Sequence, residues 1–186
     1  MSSIFKSHPI PNGNSWTITS KLGHILRTAE EKYGERDKSY TILGVEFTTN
    51  GNPQIWYPDD CKHVVIQITE NCINDINRAV FQVAHESIHC LCPTGSQNAN
   101  VLEEGLANLF SIIYCRENGH GNNWTSNAQS YTNASNLVEK LLSIDADIIK
   151  KLRAIEPTLS KVDKDLMIRV NPDITSELAD KLTKKF

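Results

Sequence analysis

The sequence predicts an α+β fold: one helix, about three strands, then helices only. Three observations carry that expectation. An apolar repeat at three-to-four spacing covers Thr17–Tyr33, β-branched and aromatic residues crowd the stretch between Tyr40 and Thr69, and helical spacing returns from Asn74 onward. With 186 residues, 39% of them hydrophobic and 22% charged, the chain is long enough for one domain with a sizeable core, and it is read as a single domain over 1–186.

Residues 1–16 are polar and carry Pro9, Pro11 and Gly13, so they are read as an irregular leader. In Thr17–Tyr33 the residues Ile18, Leu22, Ile25 and Ala29 form the apolar stripe of a helix, and Gly34 supplies its stop. Tyr40–Thr49 and Gln54–Tyr57 read as a hairpin around Asn50-Gly51, with Pro58 interrupting the second arm. Lys62–Thr69, with Val64, Val65, Ile66 and Ile68, is the third strand.

Asn74–Leu91 places Ile76, Val80, Val83, Ala84 and Leu91 on one helical face, and Pro93 and Gly95 end it. A second helix opens at Asn100, where Asn100-x-x-Glu103 has the form of a capping box, and runs to about Tyr114. A loop from Glu117 to Asn123 follows, containing Gly119-His120-Gly121. The part from about 133 to 186 reads as helical: Asn133–Ser143, Asp147–Ile155, a segment around Leu166, and Pro172–Lys184 capped by Asn171.

The formal net charge is -3 and no cluster of Lys and Arg interleaves with aromatics, so no nucleic-acid partner is expected. The first residues lack the apolar core of a secretory signal, and no later run approaches a membrane span. A cytoplasmic protein without a membrane partner is expected. Five cysteines, at 61, 72, 90, 92 and 115, form an odd set without repeating spacing, which argues for reduced thiols. The sequons at Asn123 and Asn133 are then chance matches.

Chemistry enters at His85-Glu86-Ser87-Ile88-His89, a His-Glu-x-x-His pattern inside the second helical stretch. At about 100° per residue the two histidines sit one turn apart and about 40° from each other, so both imidazoles can reach one ion. Glu86 is angled away from that point, which suits a carboxylate that takes a proton from a metal-activated water without becoming a ligand.

A zinc site needs a third protein ligand, and the next helix offers Glu103 and Glu104. Glu103 has a competing role in the capping box. Glu104 has none, and it shares a polar stripe with Asn108, Ser111 and Cys115 on an otherwise apolar helix. His89 lies about 4 Å before the end of its helix and Glu104 about 6 Å into the next, so a tight reversal would bring them level.

His85-Glu86-x-x-His89 followed by Leu102-Glu103-Glu104-Gly105-Leu106-Ala107 resembles the gluzincin superfamily of zinc metallopeptidases. The Glu-Gly-apolar-Ala string is similar to the aminopeptidase branch, where the Glu directly before Gly binds zinc; the resemblance therefore implies Glu104 as the third ligand. It also implies a zincin-like fold, one zinc ion, and hydrolysis of peptide bonds in a peptide or protein. In thermolysin-like members the residue four beyond the ligand Glu fixes a zinc-bound imidazole, and Asn108 stands there. Ser87 replaces a usually bulky apolar residue, and only 14 residues separate His89 from Glu104. The resemblance covers Val80 to Phe110, and it extends equally to short bacterial regulators with a similar helix pair, which resemble the family that cleaves phage and stress repressors.

On that reading Glu86 is the base that later protonates the leaving amine, and a Tyr or His completes the site by donating to the oxyanion. Tyr131 is the expected donor, ahead of His120, with Tyr114 on the apolar side of its helix. Lys62–Thr69 is the expected sheet edge for an added substrate strand. Cys90 and Cys92, like His8, His24 and His63, are read as structural rather than ligating. The competing reading is a non-catalytic regulatory module that keeps the metal site.

Overall fold

The computed structural model describes residues 4, 6–9, 15–49, 51–58, 62–95, 98–124 and 128–186. It is an α+β protein. The leader is not wholly irregular, because β1 (His8–Pro9) pairs antiparallel with β2 (Ser15–Trp16). Pro11, Gly13, Asn50 and Cys61 lie outside the described residues.

Helix α1 (Ile18–Tyr33) starts as its sequence dictates. Thr17 accepts from the Ser20 amide, Ser20 reciprocates on the Thr17 amide, and Gly34 at φ 94° closes the other end. Its buried residues are the predicted stripe plus Tyr33.

The sheet departs from the predicted hairpin. Strands β3 (Thr41–Thr48), β4 (Gln54–Trp56) and β5 (His63–Thr69) lie in the order β3-β5-β4, so β5 separates the two arms that the turn signal would have paired. It runs parallel to β3 and antiparallel to β4. Composition explains the outcome. The Val64-Val65-Ile66 run suits a strand covered on both faces, whereas β4 has three residues between Pro53 and Pro58, and prolines belong at sheet edges. The predicted substrate edge at Lys62–Thr69 is therefore corrected: β5 is central, and β4 is an edge.

A 3₁₀ turn at Glu70–Cys72 leads from β5 into α2 (Ile76–His89), capped by Asp75. Gln82 of α2 ties the helix back to the strand, its amide oxygen accepting from the Thr69 N–H at 2.8 Å. Helix α3 (Val101–Glu117) packs on α2, and α4 (Gln129–Ile144) packs on α3. Gly105 permits the second contact, since a Cβ there would lie 2.6 Å from the Ala134 carbonyl oxygen.

The C-terminal helices are α5 (Ile148–Arg153), α6 (Lys164–Val170) and α7 (Ser176–Leu182). The last is shorter than predicted and is capped by Thr175, while Asn171 ends α6 instead of opening α7. These helices belong to the same core as α1, β5, α2 and α3, contributing Leu152, Met167 and Leu182, with Ile174 from the link between α6 and α7. Arg153 joins them to the rest: its guanidinium donates to the carbonyls of Tyr33, Gly34, Glu35, Leu91 and Pro157. No helix among the described residues is long and apolar enough to cross a membrane.

Candidate metal centre

The facing surfaces of α2 and α3 bring the predicted trio together. Among the described residues, His85, His89 and Glu104 form the group whose ligand atoms all lie within 4.8 Å of one another. His85 Nε2 is 3.3 Å from Glu104 Oε2, and His89 Nε2 is 3.6 Å from Glu104 Oε1. Tetrahedral zinc with bonds of about 2.0–2.2 Å separates its ligand atoms by roughly 3.4 Å, so this spacing fits. Glu104 Oε2 is buried and its nearest polar partner, His85 Nε2, is too poorly aligned for a well-formed hydrogen bond, which leaves the oxygen short of what a cation would supply.

Burial and charge set the state of each group. Burial pushes the Glu86 carboxyl above its ordinary range; His85 and His89 pull against that, and Glu104 reinforces it. Burial also works against charge on Glu104, but the hydrogen-bonding influence of His85 and the charges of both histidines prevail and hold it below the usual value. For His89 burial opposes the proton, yet Glu103, Glu86 and Glu104 outweigh it and raise the ring to about 10.

Glu103 takes a role that the sequence did not assign. Asn100 does accept from the Glu103 amide, but the reciprocal half of the box is replaced: the Glu103 carboxylate lies 2.9 Å from His89 Nδ1. That contact fixes the ring with Nε2 toward Glu104. The adjacent Glu-Glu pair was the available signal, since consecutive helical residues about 100° apart can address one imidazole from two sides.

Asn108, expected to fix an imidazole, instead donates from Nδ2 to Ser135 Oγ at 2.7 Å. Of the polar stripe of α3, Glu104 thus faces α2, Asn108 meets α4, and Ser111 donates to the Asn108 carbonyl of its own helix. Ser87 is fully buried, and donating to the Val83 carbonyl at 2.7 Å satisfies its hydroxyl where the family resemblance called for an apolar side chain.

The trio opens on a cleft of about 910 Å³, bounded by β4, α2, α3 and the start of α4. Tyr131 lines it, its ring edge-on to His85 with centroids 5.9 Å apart. Burial, with Glu104 and Glu86 nearby, pushes its phenol up to about 12, so it is a proton-bearing donor at neutral pH. His120 is not in the cleft. It is buried with Nδ1 3.0 Å from Asn77 Oδ1, and desolvation lowers it to about 4. Phe81 and Trp124 stack at 4.8 Å on another wall, an aromatic surface not anticipated from sequence.

Cys90 is buried and its thiol pushed up by desolvation, while Cys92 contacts Thr158 across 3.3 Å. His24 lies 2.6 Å from the Tyr114 hydroxyl, and His8 stacks on Trp16. A second cavity of about 560 Å³ surrounds Arg153, but all five guanidinium N–H groups already have carbonyl partners. Neither a protein-family model, nor a curated protein, nor a solved structure matches this chain.

Proposed function

We propose that the chain is a zinc-dependent peptidase of zincin-like fold, with His85, His89 and Glu104 as ligands and Glu86 as general base. The observation that carries the reading is the meeting of two Nε2 atoms and one carboxylate, the nitrogens 3.3 and 3.6 Å from its two oxygens, with a buried glutamate of raised pKa beside them. Zinc held there would supply Lewis acidity toward a water and the scissile carbonyl.

The chain's own residues do the rest. Glu86 accepts the water proton and returns it to the leaving amine, for which a carboxyl titrating above its ordinary range is better matched than a solvated one. Tyr131 donates to the developing oxyanion. Glu103 holds His89 in the orientation that a ligand requires. The substrate lies in the cleft as an extended segment alongside β4, whose Gln54–Trp56 line it.

The test is metal analysis of the purified protein together with a Glu86→Gln comparison on an unbiased mixture of cellular peptides. Stoichiometric zinc in both proteins, with cleavage only in wild type, supports the reading. Cleavage that survives the substitution, or a protein that takes up no metal, overturns it. Metal binding without cleavage in wild type would transfer support to the non-catalytic regulatory module.

A further inference from the structure

Tyr131 sits in the first turn of α4, the least secure place in that helix. The N-cap residue is Ala128, whose side chain has no acceptor with which to cap the opening amides. Tertiary contacts therefore help to orient Tyr131. Two of them are ring contacts: one with His85, and one with Phe186, whose ring centroid is 4.8 Å from that of Tyr131 at an interplanar angle of 54°.

Phe186 is itself held by backbone. Its N–H donates to the Ala99 carbonyl at 3.1 Å, the Val101 N–H donates to the Lys184 carbonyl at 2.9 Å, and Lys185 pairs antiparallel with Asn100. The segment 184–186 is therefore laced to the residues that open α3, three and four positions before Glu103 and Glu104. Side-chain amide Nδ2 of Asn100 is anchored in turn on the Leu159 carbonyl. A continuous set of contacts thus runs from the entry of the ligand helix through Phe186 to the tyrosine.

We infer that Phe186 is a positioning residue for Tyr131, bracing its ring together with His85 so that a helix start without an N-cap side chain presents the phenol to the cleft in one orientation. Its kinetic consequence rests on the proposed peptidase reading; its structural consequence does not. Loss of the ring releases Tyr131 without touching metal, base or ligand helix. An oxyanion donor that samples several orientations loses turnover while ground-state binding is kept.

The experiment labels the protein with 3-fluorotyrosine, assigns the Tyr131 fluorine resonance by Tyr131→Phe, and compares wild type, Phe186→Ala, Phe186→Leu and Phe186→Tyr, all without added substrate. The expected result is a Tyr131 signal that broadens or moves toward free fluorotyrosine in F186A, less so in F186L, and that keeps its wild-type position in F186Y. In parallel, on zinc-loaded protein with denatured casein, F186A lowers kcat about tenfold with KM within roughly twofold, and F186Y restores it. An unchanged Tyr131 resonance in F186A overturns the inference, as does a rise in KM with kcat intact. If wild type cleaves nothing, the peptidase reading fails and the fluorine spectra alone decide the positioning role. Should F186A unfold, F186L carries the same comparison.

Discussion

Glu103 and His89 are joined by a 2.9 Å contact between a carboxylate oxygen and Nδ1, while the other nitrogen of the same ring faces Glu104. Two consecutive glutamates thus address one imidazole from both sides, one at Nδ1 and the other, a proposed fellow ligand, at Nε2.

Removing the anchor should weaken the metal site without removing a ligand. Glu103→Ala is expected to lower zinc affinity about 10- to 100-fold. Glu103→Gln, whose amide oxygen still accepts from Nδ1–H, should lose less. Competition against a chromophoric chelator measures both, and equal affinity in all three proteins would remove Glu103 from the design of the site.

Zinc binding should release protons, with a definite sign. The neighbouring carboxylates hold the His89 proton well above the ordinary histidine value, so the metal-free protein retains it at pH 7. A metal ion at Nε2 must displace it, and apparent affinity falls as pH falls. Calorimetry in two buffers of different ionisation enthalpy should give at least about one proton per zinc at pH 7, where a histidine of ordinary pKa would give about a quarter of one.

Two glycines in helices should respond oppositely to the same change. At Gly105 a Cβ meets the Ala134 carbonyl at 2.6 Å, so Gly105→Ala must push α4 off α3 and should destabilise by about 1–3 kcal/mol. At Gly23 in α1 the nearest atom is the flexible Arg27 guanidinium at 3.7 Å, and Gly23→Ala should stabilise by about 0.5–1 kcal/mol. Thermal unfolding reads both, at roughly 2–4 °C per kcal/mol for a chain of this size.

Arg153 is a structural charge rather than an ionic partner. It is almost fully buried and its five N–H groups serve five carbonyls: Tyr33 to Glu35 at and just past the end of α1, Leu91 two residues past α2, and Pro157 just past α5. Arg153→Met should cost about 3 kcal/mol or more, because the Tyr33 and Leu91 carbonyls lose buried donors. Arg153→Lys recovers little, since one ammonium cannot span that fan. Denaturant titration checks the ranking.

Most of the helices and the grouping of His85, His89 and Glu104 were legible in the sequence because they depend on short-range spacing. Thr17 and Gly34 bracket α1 as written, and His85 and His89 are neighbours by helical geometry wherever the helix lies. Sheet order was not legible, because pairing is decided by competition among strands: the apolar β5 took the centre and displaced the hairpin suggested by Asn50-Gly51. Glu103 was misassigned for a related reason. A local cap and a distant imidazole competed for one carboxylate, and only the approach of α2 decides between them. Asn108 was likewise claimed by Ser135, a residue 27 positions away.

The register between β3 and β5 slips between Ile42 and Gly44, where the backbone adopts φ 147° and Leu43 is left exposed. Among the described residues no strand pairs with the outer side of β3, and a sheet edge is where a second chain can add. The slip bends that run before it can serve as a straight template, and Glu46 adds a charge along it. An edge interrupted in this way is a poorer template for strand-to-strand addition than a regular one.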